Sequence, residues 1–376
     1  MKKFTMACAI VAGALSVNAQ QLNWDMFLHA PDTMVGFYED LSIDAANNVW
    51  IAAPNAGVLK FDGVNFENVA PLDLVMYNNA PNEVEVDANG GVWFSTWGSG
   101  LHHINGQNLE EINTQNSELI DDRMYSMHVD SKGNIWSVYN EDGVSKFNGT
   151  QWEHYYDYTL DATDYIYATT IFEASNGNIY VGTRYGEVSV YDGSTWTVTV
   201  PSTPAGFSRV MNFSEDNNGN IWVATSGQGL VKITANGWEY FTPNNSGLPS
   251  LEVICLEFDD NNNAWIGTTK GLSFFNGTDW YTFDKDNSPL VRSDVNSISF
   301  DVNADMWLAT GKGLFRISKE DQQNMAAMSV LSKSITSFNV LPVYPNPFSE
   351  ELSFGVELQK PANIQLALTD VSGKSL

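Results

Sequence analysis

Val253-Ile-Cys-Leu-Glu-Phe-Asp259, Ala264-Trp-Ile-Gly-Thr268, Gly271-Leu-Ser-Phe-Phe275 and Trp280-Tyr-Thr-Phe283 follow one another with only short breaks between them. Each segment is apolar and rich in aromatic or β-branched residues, and the breaks are made of Asp, Asn, Gly and Thr, so the four read as antiparallel strands of one sheet. The unit recurs. Its central aromatic returns as Trp50, Trp93, Trp136, Tyr180, Trp222, Trp265 and Trp307, at steps of 43, 43, 44, 42, 43 and 42 residues. A period in the forties marks stacked or radial units, and four short strands with apolar residues on both faces describe a propeller blade covered on either side by its neighbours. Seven units predict an all-β chain folded as a seven-bladed β-propeller.

Two further positions keep the period. An acid stands six residues before the aromatic as Asp44, Asp87, Asp130, Asp216, Asp259 and Asp301, and the fourth unit alone has Ala174 there, beside Glu173. Turns such as Asp130-Ser-Lys-Gly-Asn134 suit a tight hairpin, because Asp caps its own turn and Gly or Asn tolerates positive φ. The alternating oxygen ligands of a calcium loop are missing. A glycine past each aromatic, Gly57, Gly100, Gly143, Gly186, Gly229, Gly271 and Gly313, closes the hairpin between second and third strands. The seventh unit lacks an outer strand after Ile317-Ser318, and Trp24-Asp25-Met26-Phe27 matches the missing pattern of Trp280-Tyr281-Thr282-Phe283. The N-terminal strand is therefore expected to close the ring, so that no sheet edge is left open.

Of the 376 residues, 43% are hydrophobic, ample for a large core. Met1 to Ala19 reads as a secretory signal: a basic start at Lys2 and Lys3, an apolar run from Phe4 to Leu15 and a small-residue cleavage site at Val17-Asn18-Ala19. The run is too short to span a bilayer, and no later stretch offers a membrane helix. Removing the signal takes away Cys8, leaves Cys255 as the sole thiol and moves the formal charge from -27 to -29, since residues 1–19 contain two lysines and no acid. Such a surface repels phosphate backbones and anionic headgroups, which argues against nucleic acid and membrane insertion and suits a soluble monomer.

Asn220-Ile-Trp-Val-Ala-Thr225, Ala264-Trp-Ile-Gly-Thr-Thr-Lys-Gly-Leu272 and Asn244-Asn-Ser-Gly-Leu-Pro-Ser250 resemble the two-component regulator propeller repeat, and the resemblance extends from residue 21 to about 318. In that family the repeats commonly form the extracytoplasmic sensor of hybrid histidine kinases that respond to glycans. This chain has no kinase or receiver segment, so the resemblance implies a ligand-facing propeller and not the signalling role. A sialidase-type aspartate box places its glycine and tryptophan one residue nearer the aspartate than the three and six residues found here, so that match fails. Residues 319–339 read as a linker. Beyond it, Leu341-Pro-Val-Tyr-Pro-Asn-Pro-Phe-Ser349 and Ile364-Gln-Leu-Ala-Leu-Thr-Asp-Val-Ser-Gly-Lys374 resemble the type A C-terminal sorting domain of the type IX secretion system, found in Bacteroidetes. That resemblance implies export across the outer membrane by the type IX machinery, with 340–376 as a truncated, poorly ordered, partial β-sandwich.

In a propeller the loops between blades share a face with the hairpins between second and third strands, at the mouth of the central channel. Four of the five arginines fall on that face: Arg123, Arg209 and Arg292 in inter-blade loops, and Arg184 in a hairpin. Trp97, Tyr139 and Tyr185 join them in hairpins, with Phe37, Tyr38, Tyr77 and Tyr165 in loops. Guanidinium forks grip carboxylates or sulfates and aromatic faces stack on sugars, so the set suits an acidic glycan or a peptide carboxylate. A plainer reading stays open, in which each arginine pins its own loop by pairing with a nearby acid, as Arg123 would with Asp121 or Asp122. No catalytic residue, metal site or cofactor is expected: His102 and His103 are adjacent on a strand and face opposite ways, and no histidine pair has metal-ligand spacing with a third ligand. The expectation is a secreted, non-catalytic module for a glycan or protein ligand. The competing reading is a polysaccharide lyase or hydrolase using the channel mouth.

Overall fold

The computed structural model describes residues 24–28, 37–71, 80–139, 143–156, 167–199, 208–234, 237–290, 294–323, 338–340 and 356–358. The secretory signal, the loop positions Tyr77, Tyr165 and Arg292, and nearly all of 340–376 lie outside the described residues. Trp24–Lys319 forms one compact unit. It holds seven four-stranded antiparallel sheets, each formed by consecutive strands except the last. Blade six is built from Val253–Phe258, Ala264–Thr268, Gly271–Phe275 and Trp280–Phe283, matching the four segments read from sequence. In the other unit the described residues are a helical turn over 320–323 and one short ladder, in which Phe338–Val340 pairs antiparallel with Val356–Leu358.

The ring closes as the sequence predicts. Asp25–Phe27 lies outermost in blade seven, paired antiparallel with Gly313–Ile317 through Met26 opposite Phe315. Its Phe27 stacks on Trp307 and packs on Phe61, so the closing strand is also part of the core between blades seven and one. The inner strands of those two blades join through Ser297 Oγ donating to Asp40 Oδ1 at 2.8 Å and Asn296 Nδ2 donating to the Tyr38 carbonyl at 2.8 Å.

The periodic aspartate does more than turn the chain. In blade three, Asp130 Oδ1 accepts the amides of Lys132 and Asn134 at 3.0 and 2.8 Å, as a turn-capping Asp should. Its Oδ2 accepts the Asn134 side chain at 2.7 Å and the Trp136 indole N–H at 2.9 Å. The same aspartate-to-indole bond recurs in five more blades, from Trp50, Trp93, Trp222, Trp265 and Trp307, at 3.0–3.2 Å. Blade four, which lacks the aspartate, also lacks the indole. Opposite each indole on the third strand stands Lys60, His103, Lys146, Lys232, Phe274 or Arg316. The lysines lie over the rings at 4.9–5.6 Å, and His103 stacks on Trp93 at 3.9 Å. An anion, an aromatic N–H and a cation or flat ring thus satisfy one another at the wall between blades.

The hairpin glycines sit where the expected geometry requires them. Gly271 has φ of 125°, and a Cβ there would collide with the Phe283 carbonyl of the neighbouring outer strand.

Replacing Asp216 by Ala removes the acceptor of the Trp222 indole and of the Asn218 and Asn220 amides, and it unpairs Lys232, whose Nζ lies 3.2 Å from the carboxylate. The expected loss is about 2–3 kcal/mol, the cost of stranding buried polar groups, read from urea denaturation. A loss below about 0.5 kcal/mol would show that the aspartate is only a turn former.

Candidate functional site

Loops and hairpins do meet on one face. The backbone amides of Trp97, Arg184, Ser226 and Thr269, each just past a second strand, donate to the carbonyls of Ala80, Tyr167, Arg209 and Glu252, each just before an inner strand, at 2.8–3.4 Å. These bonds hold the hairpin tip of a blade against its own inner strand and so fix the rim.

Six of the seven inner strands carry one extra residue near their start, where the ladder slips by one. The slips lie between Pro81 and Glu83, Met124 and Ser126, Ala168 and Thr170, Val210 and Asn212, Val253 and Cys255, and Val295 and Ser297. The inserted residues are Asn82, Tyr125, Thr169, Met211, Ile254 and Asn296, all eleven positions before the blade's aromatic. Glu39 holds the same position in blade one, eleven before Trp50. A bulge re-aims side chains, and here all seven of these residues line one cavity in the channel mouth.

Two cavities adjoin there, sharing Tyr125, Thr169, Arg209 and Ser226 as walls. The first, about 480 Å³, is lined by Arg184, Arg209, Tyr125, Tyr167, Ser208 and Gln228 among others, with no acid in its wall. The second, about 460 Å³, runs into the channel over Glu39, Asp40, Glu83 and Glu257, with Glu252 and Trp97 at its edge. Arg184 lies 5.5 Å from the Tyr167 ring and Arg209 lies 5.7 Å from the Tyr125 ring. Trp97 meets Tyr125 edge-on at 4.9 Å, and Tyr185 meets Tyr167 likewise at 6.1 Å. Among the described residues neither Arg184 nor Arg209 has an acid within ion-pair distance, and Arg209 Nε and Ser208 Oγ are buried with no hydrogen-bond partner. Burial depresses the Arg209 guanidinium pKa, and Arg184 close by pushes it the same way.

Of the remaining sequence candidates, Phe37 lines the second cavity and the other described ones fall elsewhere. Arg123 grips Asp121 through Nε and Nη2, the latter at 2.7 Å, so here the plain loop-pinning reading describes the geometry. Tyr139 is fully buried in a core cluster with Trp93, Leu101 and Met124 and does not line either cavity. Tyr185 is exposed beside Arg184 without lining either of these cavities, and Arg292 lies outside the described residues. The described histidines are held structurally: His102 and His103 stack on Phe94 and Trp93, His128 Nδ1 meets Glu85 at 2.9 Å, and His154 meets Ser145 at 3.0 Å. Among the described residues no three metal-ligating side chains gather, and no helix is long and apolar enough to cross a membrane.

The sequence reading missed Tyr125, Ser208 and the acids of the channel. Asp40 accepts from the Val84 amide and Ser297, and Glu83 accepts from the Met127 amide, so these carboxyls bridge neighbouring blades. Burial raises their pKa, Asp40 to about 6 and Glu257 to about 7, and pushes Glu83 well up, helped there by Asp40. Glu39 also rises to about 7, first by burial and then by Asp40, with Arg209 pulling against both.

The model of the two component regulator propeller family matches residues 206–227 and 247–270, in blades five and six. No curated protein matches. Among solved structures, the extracellular domain of the hybrid two component system BT4673 from B. thetaiotaomicron superposes with a TM-score of 0.63 at 17% identity, covering 79% of this chain and 40% of that one. Virginiamycin B lyase from Staphylococcus aureus, in an inactive variant with quinupristin, gives 0.67 at 14%, covering 79% and 99%. PorZ, a surface component of the type IX secretion system of Porphyromonas gingivalis, gives 0.62 at 15%, covering 82% and 49%. This chain therefore spans less than half of the BT4673 and PorZ structures, and the likeness to all three establishes the propeller fold.

The channel carboxyls set a pH dependence of stability. Their folded pKa values exceed the ordinary 3.8 to 4.5, so the folded state holds more protons between about pH 4.5 and 7, and their contribution is full below that range and lost as pH rises through it. Asp44, Asp130 and Asp216 work the other way: burial raises them, but hydrogen bonds from Asn, Trp and backbone donors outweigh it and hold them below 3.8. The melting temperature is expected to rise as pH falls from 8 to 5 and to drop below pH 4, with Glu257→Gln flattening the upper limb. Melts that fall monotonically from pH 8 to 5 would contradict this arrangement.

Proposed function

We propose that the chain is an exported, non-catalytic binding module that takes a carboxylate-bearing saccharide at the channel mouth. The observation that carries this reading is the pair Arg184 and Arg209. In a chain of net charge -27 they face one cavity, each beside a tyrosine ring, with no acid paired to either among the described residues. Two guanidinium groups with no acid at ion-pair distance can receive an anion, and the flanking tyrosine faces are platforms on which a sugar ring can stack. Extracellular propellers of hybrid two component systems and a secretion-system surface component share the fold, which fits a module working outside the cell. We further propose that Met1–Ala19 is a cleaved leader and that 340–376 addresses the chain to the type IX machinery, on the strength of the motifs quoted above.

A second reading rests on Glu39. A carboxyl raised to about 7 in a cleft beside Arg209 and Tyr125 has the properties of a general base or acid, and it supports the polysaccharide lyase or hydrolase alternative.

The test is a thermal-shift titration of the full chain with matched neutral and uronic-acid oligosaccharides, with product release followed in the same wells. A saturable rise for the acidic set only, abolished by Arg184→Ala with Arg209→Ala, is expected. Product release would replace the binding reading by the enzyme. An equal response to neutral sugars, or none to either set, would overturn the proposed ligand, and silence would move the search to protein partners.

A further inference from the structure

The two cavities at the channel mouth have opposite electrical character across one shared wall. On one side Arg184, Arg209 and the Ser208 hydroxyl line the pocket with no acid among them. Ser208 is only 7% exposed and its Oγ has no partner, a donor aimed at something the protein itself does not supply. On the other side five carboxyls, Glu39, Asp40, Glu83, Glu252 and Glu257, line the second pocket, and Arg209 is the one cation in its wall. Asp40 and Glu83 are occupied by amides of the next blade. The Glu39 carboxyl accepts no hydrogen bond among the described residues, and it lines the cavity eleven residues before its blade's aromatic, the place that the bulge residue takes in the other six blades. Tyr125 and Trp97, edge to face at 4.9 Å, line the acidic pocket, and Tyr125 belongs to both walls.

Building on the saccharide reading above, we propose that the ligand is zwitterionic: its carboxylate sits on Arg184, Arg209 and Ser208, and an ammonium group reaches Glu39 past the ring of Tyr125. A purely anionic ligand large enough to fill both pockets would bring its second charge against the carboxyls. A neutral ligand would leave two guanidinium groups and a buried hydroxyl unanswered. An amino sugar linked to a uronic acid places an ammonium and a carboxylate on adjacent rings, and the aromatic faces of Tyr125 and Trp97 favour the cationic end. Burial and Asp40 drive Glu39 to about 7, and Arg209 only partly offsets them. A bound ammonium would act on Glu39 in the same direction as Arg209.

The decisive comparison is calorimetric titration of the full chain at pH 6.5 with two disaccharides, glucuronic acid linked to N-acetylglucosamine and the same molecule with its acetyl group removed. The free amine is expected to bind at least tenfold tighter. Glu39→Gln is expected to erase that preference, bringing the free amine's affinity down to that of the acetylated sugar. Equal affinities for the two sugars, or tighter binding of the acetylated one, would overturn the zwitterion and leave the carboxylate reading standing. A preference that survives Glu39→Gln would overturn the assignment of the ammonium to Glu39. Failure of both sugars to bind wild-type protein would overturn the saccharide reading and this inference with it. The wild-type comparison decides the ammonium question even if the variant does not fold.

Discussion

A buried indole needs an acceptor for its N–H, and six times in this ring that acceptor is the aspartate six residues upstream. The bond joins two demands that are otherwise separate. The tryptophan must fill the space between blades, because a sheet sandwiched on both faces has no solvent side to which a polar edge could turn. The aspartate must hold the tight turn into the strand that carries the tryptophan. One carboxylate does both, with Oδ1 on the turn and Oδ2 on the ring, so the spacing of six residues is the distance at which the two tasks coincide. Blade four makes the dependence visible, since Ala174 and Tyr180 replace the pair together.

That coupling explains why the architecture was readable in the chain. The period, the number of blades, the hairpin glycines and the closing strand all follow from positions that recur because the same contacts recur. The aspartate was legible as a turn former but its bond to the indole was not, since nothing in a one-dimensional spacing distinguishes a carboxylate that caps from one that also reaches across. The tail fared differently. Its motifs resemble a sorting signal, and the single ladder described between Phe338–Val340 and Val356–Leu358 neither requires nor excludes the partial sandwich they imply.

The candidate site was legible at its rim and hidden in its floor. Arg184, Arg209 and Trp97 stand in loops and hairpins whose place on the propeller is fixed by topology, so assigning them to the mouth needed only the blade pattern. Arg123 occupies the position equivalent to Arg209, thirteen residues before its aromatic, yet the neighbouring Asp121 captures it. Composition cannot separate those two fates. Tyr139 ends a second strand as a core residue, still paired with Met124 at a position that the hairpin reading assigned to the turn. The channel acids and Tyr125 escaped notice for a different reason. An inserted residue breaks the alternation of inward and outward positions, so a period of two applied along the inner strand assigns the wrong face to the bulge. Counting back eleven from each aromatic would have gathered Glu39, Asn82, Tyr125, Thr169, Met211, Ile254 and Asn296 as one ring.

The strand at Asp25–Phe27 has its partner in Gly313–Ile317, with Asp25 and Arg316 joined at 2.6 Å across 291 positions of sequence. The entropy of closing so long a loop grows only logarithmically, so the equilibrium cost of this arrangement is modest. The cost in time is larger. During synthesis or passage through a pore in N-to-C order, the strand that emerges first has nothing to pair with until the last blade has followed it, and six blades can assemble in sequence while the seventh waits for both ends. Completion of the ring thus reports that the whole propeller has arrived. A chain halted midway keeps an unpaired strand and an open seam, which are the features that proteases and chaperones recognise in unfinished proteins.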